Sequence, residues 1–207
     1  VNSQDKGRFT ADLNRTLVYA GAVKENELAV YWVMAPEKVL SQNAGTYRGK
    51  IKYTVESSRG NEEFVIDLEC YVQPVFTIAV NMPPEGLNFN KILPNGPPEE
   101  RSVDVIVQSN LHKPYQVVQG LSTAMTNEKG AQIDNQYLTM KLELPAGQKG
   151  QPKFIDFTPV KNNEYPVYIS DAQGSPVSFK VIYKLQGYPG MRAGNFMAPV
   201  RFTLQEN

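Results

Sequence analysis

One stretch of the chain occurs twice, and it constrains the fold more than any other feature. Ala44-Gly45-Thr46-Tyr47-Arg48-Gly49-Lys50-Ile51-Lys52-Tyr53-Thr54-Val55-Glu56 aligns without a gap on Ala193-Gly194-Asn195-Phe196-Met197-Ala198-Pro199-Val200-Arg201-Phe202-Thr203-Leu204-Gln205. Both read Ala-Gly, a polar residue, an aromatic, three variable positions, then a β-branched residue, a basic residue, an aromatic, Thr and an aliphatic. Ile51, Tyr53 and Val55, like Val200, Phe202 and Leu204, fall two apart, so each segment presents one apolar face as a strand. The Gly ahead of each suits a turn into that strand. Two such strands, 149 positions apart (194 minus 45), predict two related domains.

A length of 207 residues accommodates two small β domains, each near the size at which a single core is adequate. Lys plus Arg equals Asp plus Glu at 21 each, and no basic run is present, so no field recruits nucleic acid or an anionic membrane. The chain has no long apolar run for a membrane span and no charged leader followed by an apolar core. It reads as a soluble chain that is mature, trimmed or never exported. Fifteen Pro and 15 Gly, scattered along the sequence, suit many short strands joined by turns.

Taken in order, Arg8 to Leu13 alternates through Phe9, Ala11 and Leu13, and Arg15 to Ala20 continues as a second apolar stretch. Asn14-Arg15-Thr16 fits the short glycosylation acceptor pattern. Glu27 to Met34 holds the only tryptophan, Trp32, read as a core anchor. Pro36 to Gln42 predicts one or two helical turns, with Pro at the first helical position. Tyr47 is expected as a corner tyrosine, its ring buried and its hydroxyl bonded to nearby backbone. The strand Tyr47 to Glu56, a turn over 57–62 and a return strand Glu63 to Val72 form a hairpin. Cys70, the lone cysteine, sits on the apolar side of that return strand with Phe64, Ile66 and Leu68, which predicts a small buried residue.

Gln73-Pro74 marks the domain boundary, and Val75 to Val80 opens the second domain without a spacer, which predicts stiff coupling. Further strands are expected at Leu87 to Ile92, Ser102 to Ser109, Lys113 to Gln119, Tyr137 to Leu144, Phe154 to Pro159, Glu164 to Ser170 and Ser178 to Leu185. Gly120 to Asn135 reads as an irregular loop with a helical turn. The expected fold class is therefore all-β, as two tandem immunoglobulin-like β-sandwich domains, 1–73 and 74–207.

Chemistry is sparse, and no enzyme, cofactor or metal is expected. His112 is the only histidine, in a turn-like setting, so a His-based triad has no obvious Ser partner and a His-rich metal site is impossible. No phosphate-cradling glycine motif, Cys-x-x-Cys or His-Glu-x-x-His is present. The pairs Glu62-Glu63 and Glu99-Glu100 read as solvated turn residues. Tyr165, Tyr168, Tyr183 and Tyr188 cluster in the last third, where aromatic faces beside loop amides offer a platform for a glycan.

After the second copy of the repeat only Glu206 and Asn207 remain, whereas the first copy is followed by a partner strand. A sandwich lacking its last strand exposes unpaired backbone groups, a template for strand addition from another chain. Ala193 to Leu204 resembles the C-terminal strand of bacterial fimbrial subunits and of spore-coat-U type proteins, and Ala44 to Glu56 resembles it more loosely. It departs from them in lacking a tyrosine near the terminus and a cysteine pair. The resemblance implies an incomplete immunoglobulin-like sandwich, exported to the periplasm or cell surface and assembled by strand exchange. On it rests the expected function: a non-enzymatic, exported bacterial structural or adhesive component, self-associating or binding a protein partner through its sheet edges. Phe196, Val200, Phe202, Leu204 and Tyr188 are the expected interaction residues. A carbohydrate-binding or accessory module of a larger exported protein, and a periplasmic chaperone-like protein, are the alternatives.

Overall fold

The computed structural model describes residues 42–84, 86–89 and 92–207. The strands expected at Arg8 to Leu13, Arg15 to Ala20 and Glu27 to Met34, the Trp32 anchor and Asn14 lie outside the described residues, as does the helical turn over Pro36 to Ser41. Within them the protein is all-β, with strands in three sheets and one short 3-10 turn. No helix there is long and apolar enough to cross a membrane.

β1 (Gly45–Ser57) and β2 (Gly60–Val72) form a long antiparallel hairpin, paired from Gly45 with Val72 to Ser57 with Gly60. The turn is narrower than expected, because Ser57 Oγ accepts the Arg59 N–H at 3.2 Å and donates to the Gly60 carbonyl at 3.0 Å. Strand alternation divides the ribbon into two faces. One carries Tyr47, Ile51, Tyr53 and Val55 opposite Cys70, Ile66, Phe64 and Glu62, with Leu68 beside Gly49. The other carries the ion pairs Arg48–Glu69, Lys50–Asp67 and Lys52–Glu63 at 2.8, 3.2 and 2.7 Å, interrupted by Val65 and Tyr71.

Parity placed Cys70 correctly, but the face it shares is not a buried one. Phe64, Ile66 and Leu68 are 53, 48 and 41% exposed, and Cys70 itself is half-buried. Tyr47 donates its hydroxyl to the Asn43 carbonyl at 2.8 Å as a corner tyrosine does, yet its ring is exposed rather than buried. Glu63 lies within β2, not in a turn, because its carboxylate is held on the charged face by Lys52.

The described residues from Phe76 onward form two sheets around one core. The first has the order β3 (Phe76–Asn81), β4 (Glu99–Ser109), β10 (Val177–Leu185), β6 (Leu138–Glu143), β8 (Thr158–Pro159). The second has the order β11 (Val200–Glu206), β5 (Tyr115–Leu121), β9 (Tyr165–Ile169), β7 (Gln151–Pro152). All pairs are antiparallel, with a register shift between Val117 and Val118 opposite β9. Val103, Val105 and Val107 of β4 and Phe179, Val181 and Tyr183 of β10 face Val117, Tyr165 and Val167 of the second sheet in one buried cluster. This is a β-sandwich core, built by period-2 alternation on each strand. Leu87 to Phe89 and Ile92 are irregular rather than a strand, and Glu99 and Glu100 open β4 instead of lying in a turn.

A buried polar network lies between the sheets. The Gln119 side chain is inaccessible; its amide donates to Tyr165 Oη at 3.1 Å, and its carbonyl oxygen accepts from Tyr183 Oη at 2.6 Å. The network links β5 and β9 of one sheet to β10 of the other. Asn110 similarly fastens the hairpin base: its side chain accepts the Val75 N–H at 2.7 Å and donates to the Gln73 carbonyl at 2.9 Å. Its backbone carbonyl accepts the Ala44 N–H at 2.8 Å.

Candidate interaction edge

The second copy of the repeat becomes β11, the outermost described strand of its sheet. Gly45 and Gly194, the repeated glycines, have φ of +143° and +149°, values that L side chains rarely adopt, so the two copies share a backbone turn as well as a pattern. They then diverge. After Gly45 the chain is extended at once, whereas after Gly194 it first docks on the 126–132 loop through the reciprocal Met197–Thr126 bonds of 3.1 and 3.0 Å. Buried Asn127 holds this approach by donating to the Ala193 carbonyl at 3.3 Å.

β11 pairs with β5 along one side only, and among the described residues no strand pairs with its other side. Val200, Phe202 and Leu204 stand opposite Leu121, Gln119 and Val117, so all three point toward the core. Their partners are buried, but the β11 side chains themselves are only half-buried. β3, the edge strand of the opposite sheet, shows the same thing: Phe76, Ile78 and Val80 stand opposite Ser109, Val107 and Val105 and are likewise half-buried. Among the described residues, no strand covers the side where β3 and β11 approach each other. Two rows of half-buried apolar side chains and two edges of the described sheets meet there, the geometry that strand addition requires. At the far end of β11 Lys113 pairs with Glu206 at 3.5 Å, and Arg201 is exposed near its start.

Val200, Phe202 and Leu204 are therefore brought together, and Phe196 packs against the same core just before the strand. Tyr188 is not part of this edge. It stacks on Tyr137 with ring centroids 4.1 Å apart and lines a separate groove at the ends of β6 and β10. Phe76, Ile78 and Val80 escaped the sequence reading as site residues: their alternation marked a strand, but edge position depends on pairing that local pattern does not encode.

The expected tyrosine platform dissolves, since Tyr165, Tyr168 and Tyr183 are core residues. Burial pushes the Tyr168 hydroxyl up to about 12 and raises those of Tyr115, Tyr165 and Tyr183 as well. His112 is exposed, at a positive φ of 58° in its turn. No protein-family model, curated protein or solved structure matches the chain.

Proposed function

We propose that the protein is a non-enzymatic structural or adhesive component of the bacterial periplasm or surface, joined to a protein partner or to further copies by strand addition along β11. The observation that carries this reading is the half-buried apolar row Val200, Phe202, Leu204 beside an edge that no described strand covers. Strand order supports it. In an immunoglobulin-like sandwich the first, second, fifth and fourth strands share one sheet, and the third pairs with the sixth, which pairs with the seventh. Here β3, β4, β10 and β6 follow the first order, and β5 with β11 follows the second, leaving the seventh position without a counterpart among the described residues. Export rests on the likeness of Ala193 to Leu204 to fimbrial strands.

The same reading takes the chain as two tandem immunoglobulin-like domains divided near residue 73, with β1 and β2 the closing strands of the first. Its support is the hairpin's apolar face, since a lone two-stranded ribbon is marginal in water.

Light-scattering mass at several concentrations, with and without an excess of a peptide of alternating apolar residues, tests the assembly. Concentration-dependent chains that the peptide caps, together with a raised melting temperature, are expected. A monomer indifferent to the peptide in both readouts refutes it.

A further inference from the structure

The groove holding Tyr188 makes a second, independent claim. Its volume is about 430 Å³, within the range of small-ligand sites. Stacked Tyr137 and Tyr188, with planes 13° apart, form an apolar wall. Asn95, Gln186 and Lys184 supply polar groups around it.

The tyrosine hydroxyls separate this place from the core. Those of Tyr115, Tyr165, Tyr168 and Tyr183 are all engaged inside the protein, with the Ser175 carbonyl, the Gln119 amide, the Lys149 carbonyl and the Gln119 carbonyl oxygen respectively. Among the described residues, the hydroxyls of Tyr137 and Tyr188 and the side-chain amides of Asn95 and Gln186 make no hydrogen bond within the chain. An aromatic wall, two amides and two hydroxyls thus converge with their bonding capacity unspent.

The groove is also preformed. The Gly187 backbone passes so close to the Leu93 carbonyl that an added Cβ would lie 2.0 Å from it, which seats the Leu93–Gly96 turn against the end of β10. The Gln186 N–H donates to the Tyr137 carbonyl at 3.0 Å and locks the other wall. Lys184 Nζ sits 4.3 Å over the Phe157 ring, which holds the cation in place without neutralising it. None of the described lining residues is a carboxylate.

We infer that this groove binds a saccharide ring bearing an acidic group, a hexuronic acid unit of a glycan. The apolar C–H face of the ring lies on the tyrosine wall, as amphipathic ligands do on aromatic side chains. Its hydroxyls bond the Asn95 and Gln186 amides, and its carboxylate faces the Lys184 ammonium. Glu100 stands opposite Lys184 in the strand register, but no carboxylate is among the described lining residues, so the Lys184 cation favours an acidic sugar over a neutral one.

Titration of the labelled protein with glucuronic acid and with glucose, followed by NMR of the side-chain amides, tests this. Saturable shifts at Asn95 and Gln186 are expected, with glucuronate bound more tightly. Lys184→Gln should abolish that preference, and Tyr188→Ala should weaken both sugars by about tenfold or more. Tyr188→Phe, which keeps the stack, should retain most of the affinity and guards against misfolding as the cause. No saturable shift with either sugar, or unchanged binding in a folded Tyr188→Ala variant, overturns the inference. So does a proline-rich peptide that shifts the same amides where sugars do not.

Discussion

Replacing Tyr183 by Phe removes one oxygen from the centre of the sandwich. That oxygen donates to Gln119 at 2.6 Å, and both residues are buried, so the Gln119 carbonyl oxygen loses its only hydrogen-bond donor among the described residues. A buried acceptor left without a partner costs about 1–3 kcal/mol. Gln119→Leu removes the amide instead and strands the Tyr183 hydroxyl, at a similar cost. Tyr165 is less exposed to this change, because its hydroxyl also lies 3.6 Å from Met140 Sδ and accepts the Lys161 N–H at 3.5 Å. In the double variant both halves of the Gln119–Tyr183 bond are gone, so its cost should fall short of the summed single costs by about 1–2 kcal/mol. Urea unfolding of the four proteins, followed by two probes to check two-state behaviour, measures this cycle. Strict additivity, or a cost for Tyr183→Phe below about 0.5 kcal/mol, would refute the claim that the network is a dry, coupled unit.

Alkaline pH should act through the same residues. The hydroxyls of Tyr168, Tyr115, Tyr165 and Tyr183 all titrate above 10 in the folded state, so the native protein holds more protons than the unfolded chain there. Stability is then fully present below pH 10 and falls as pH rises toward about 12, which denaturant midpoints across that range check against tyrosinate absorbance. Asn110→Ala should cost about 1–2 kcal/mol and speed hydrogen exchange at Val75, whose N–H the Asn110 side chain accepts. Gly187→Ala should displace the Leu93–Gly96 turn and lower the unfolding midpoint, since the new methyl collides with backbone rather than with a flexible side chain.

Strand alternation carried most of the sandwich into view, because a half-buried antiparallel strand shows its inner face in every second residue. Ser102 to Ser109 and Ser178 to Leu185 lie within β4 and β10 respectively, and the inner rows Val103, Val105, Val107 and Phe179, Val181, Tyr183 are buried. Where a strand is only two residues long no period exists to be read: Gln151–Pro152 passed as loop, and of the strand expected at Phe154 to Pro159 only Thr158–Pro159 is one. The tyrosines misled for a related reason. Tyr183 and Tyr188 lie close together in sequence, but one is inside β10 and bonded to Gln119, and the other lies beyond the strand end against Tyr137. Tyr137 came from a segment 51 positions away (188 minus 137), so the groove's wall was invisible to local pattern. Hairpin parity was legible in β2, whereas the exposure of its apolar face was not, because alternation identifies a face and not what lies over it.

Leu204 offers the sharpest discrimination between an edge that is finished and one that awaits a strand. It stands opposite fully buried Val117 and points the same way, yet it is only half-buried itself. A fully buried leucine cut to alanine costs about 2–5 kcal/mol; with part of its surface already wet, Leu204→Ala should cost about 1–2 kcal/mol in the protein alone. A strand laid along β11 would cover the remaining surface, so the same substitution should then weaken binding of the alternating apolar peptide by about 1 kcal/mol, or about fivefold. Val181→Ala is the control: Val181 is inaccessible in the middle of the other sheet, so it should cost about 2 kcal/mol of stability and leave peptide affinity unchanged. Peptide-induced shifts in melting temperature at graded peptide concentrations separate the two effects, because a bound strand stabilises by an amount set by its own dissociation constant. Equal affinity for the wild type and Leu204→Ala would mean that the peptide binds elsewhere, and the half-buried row on β11 would then be an ordinary sheet margin.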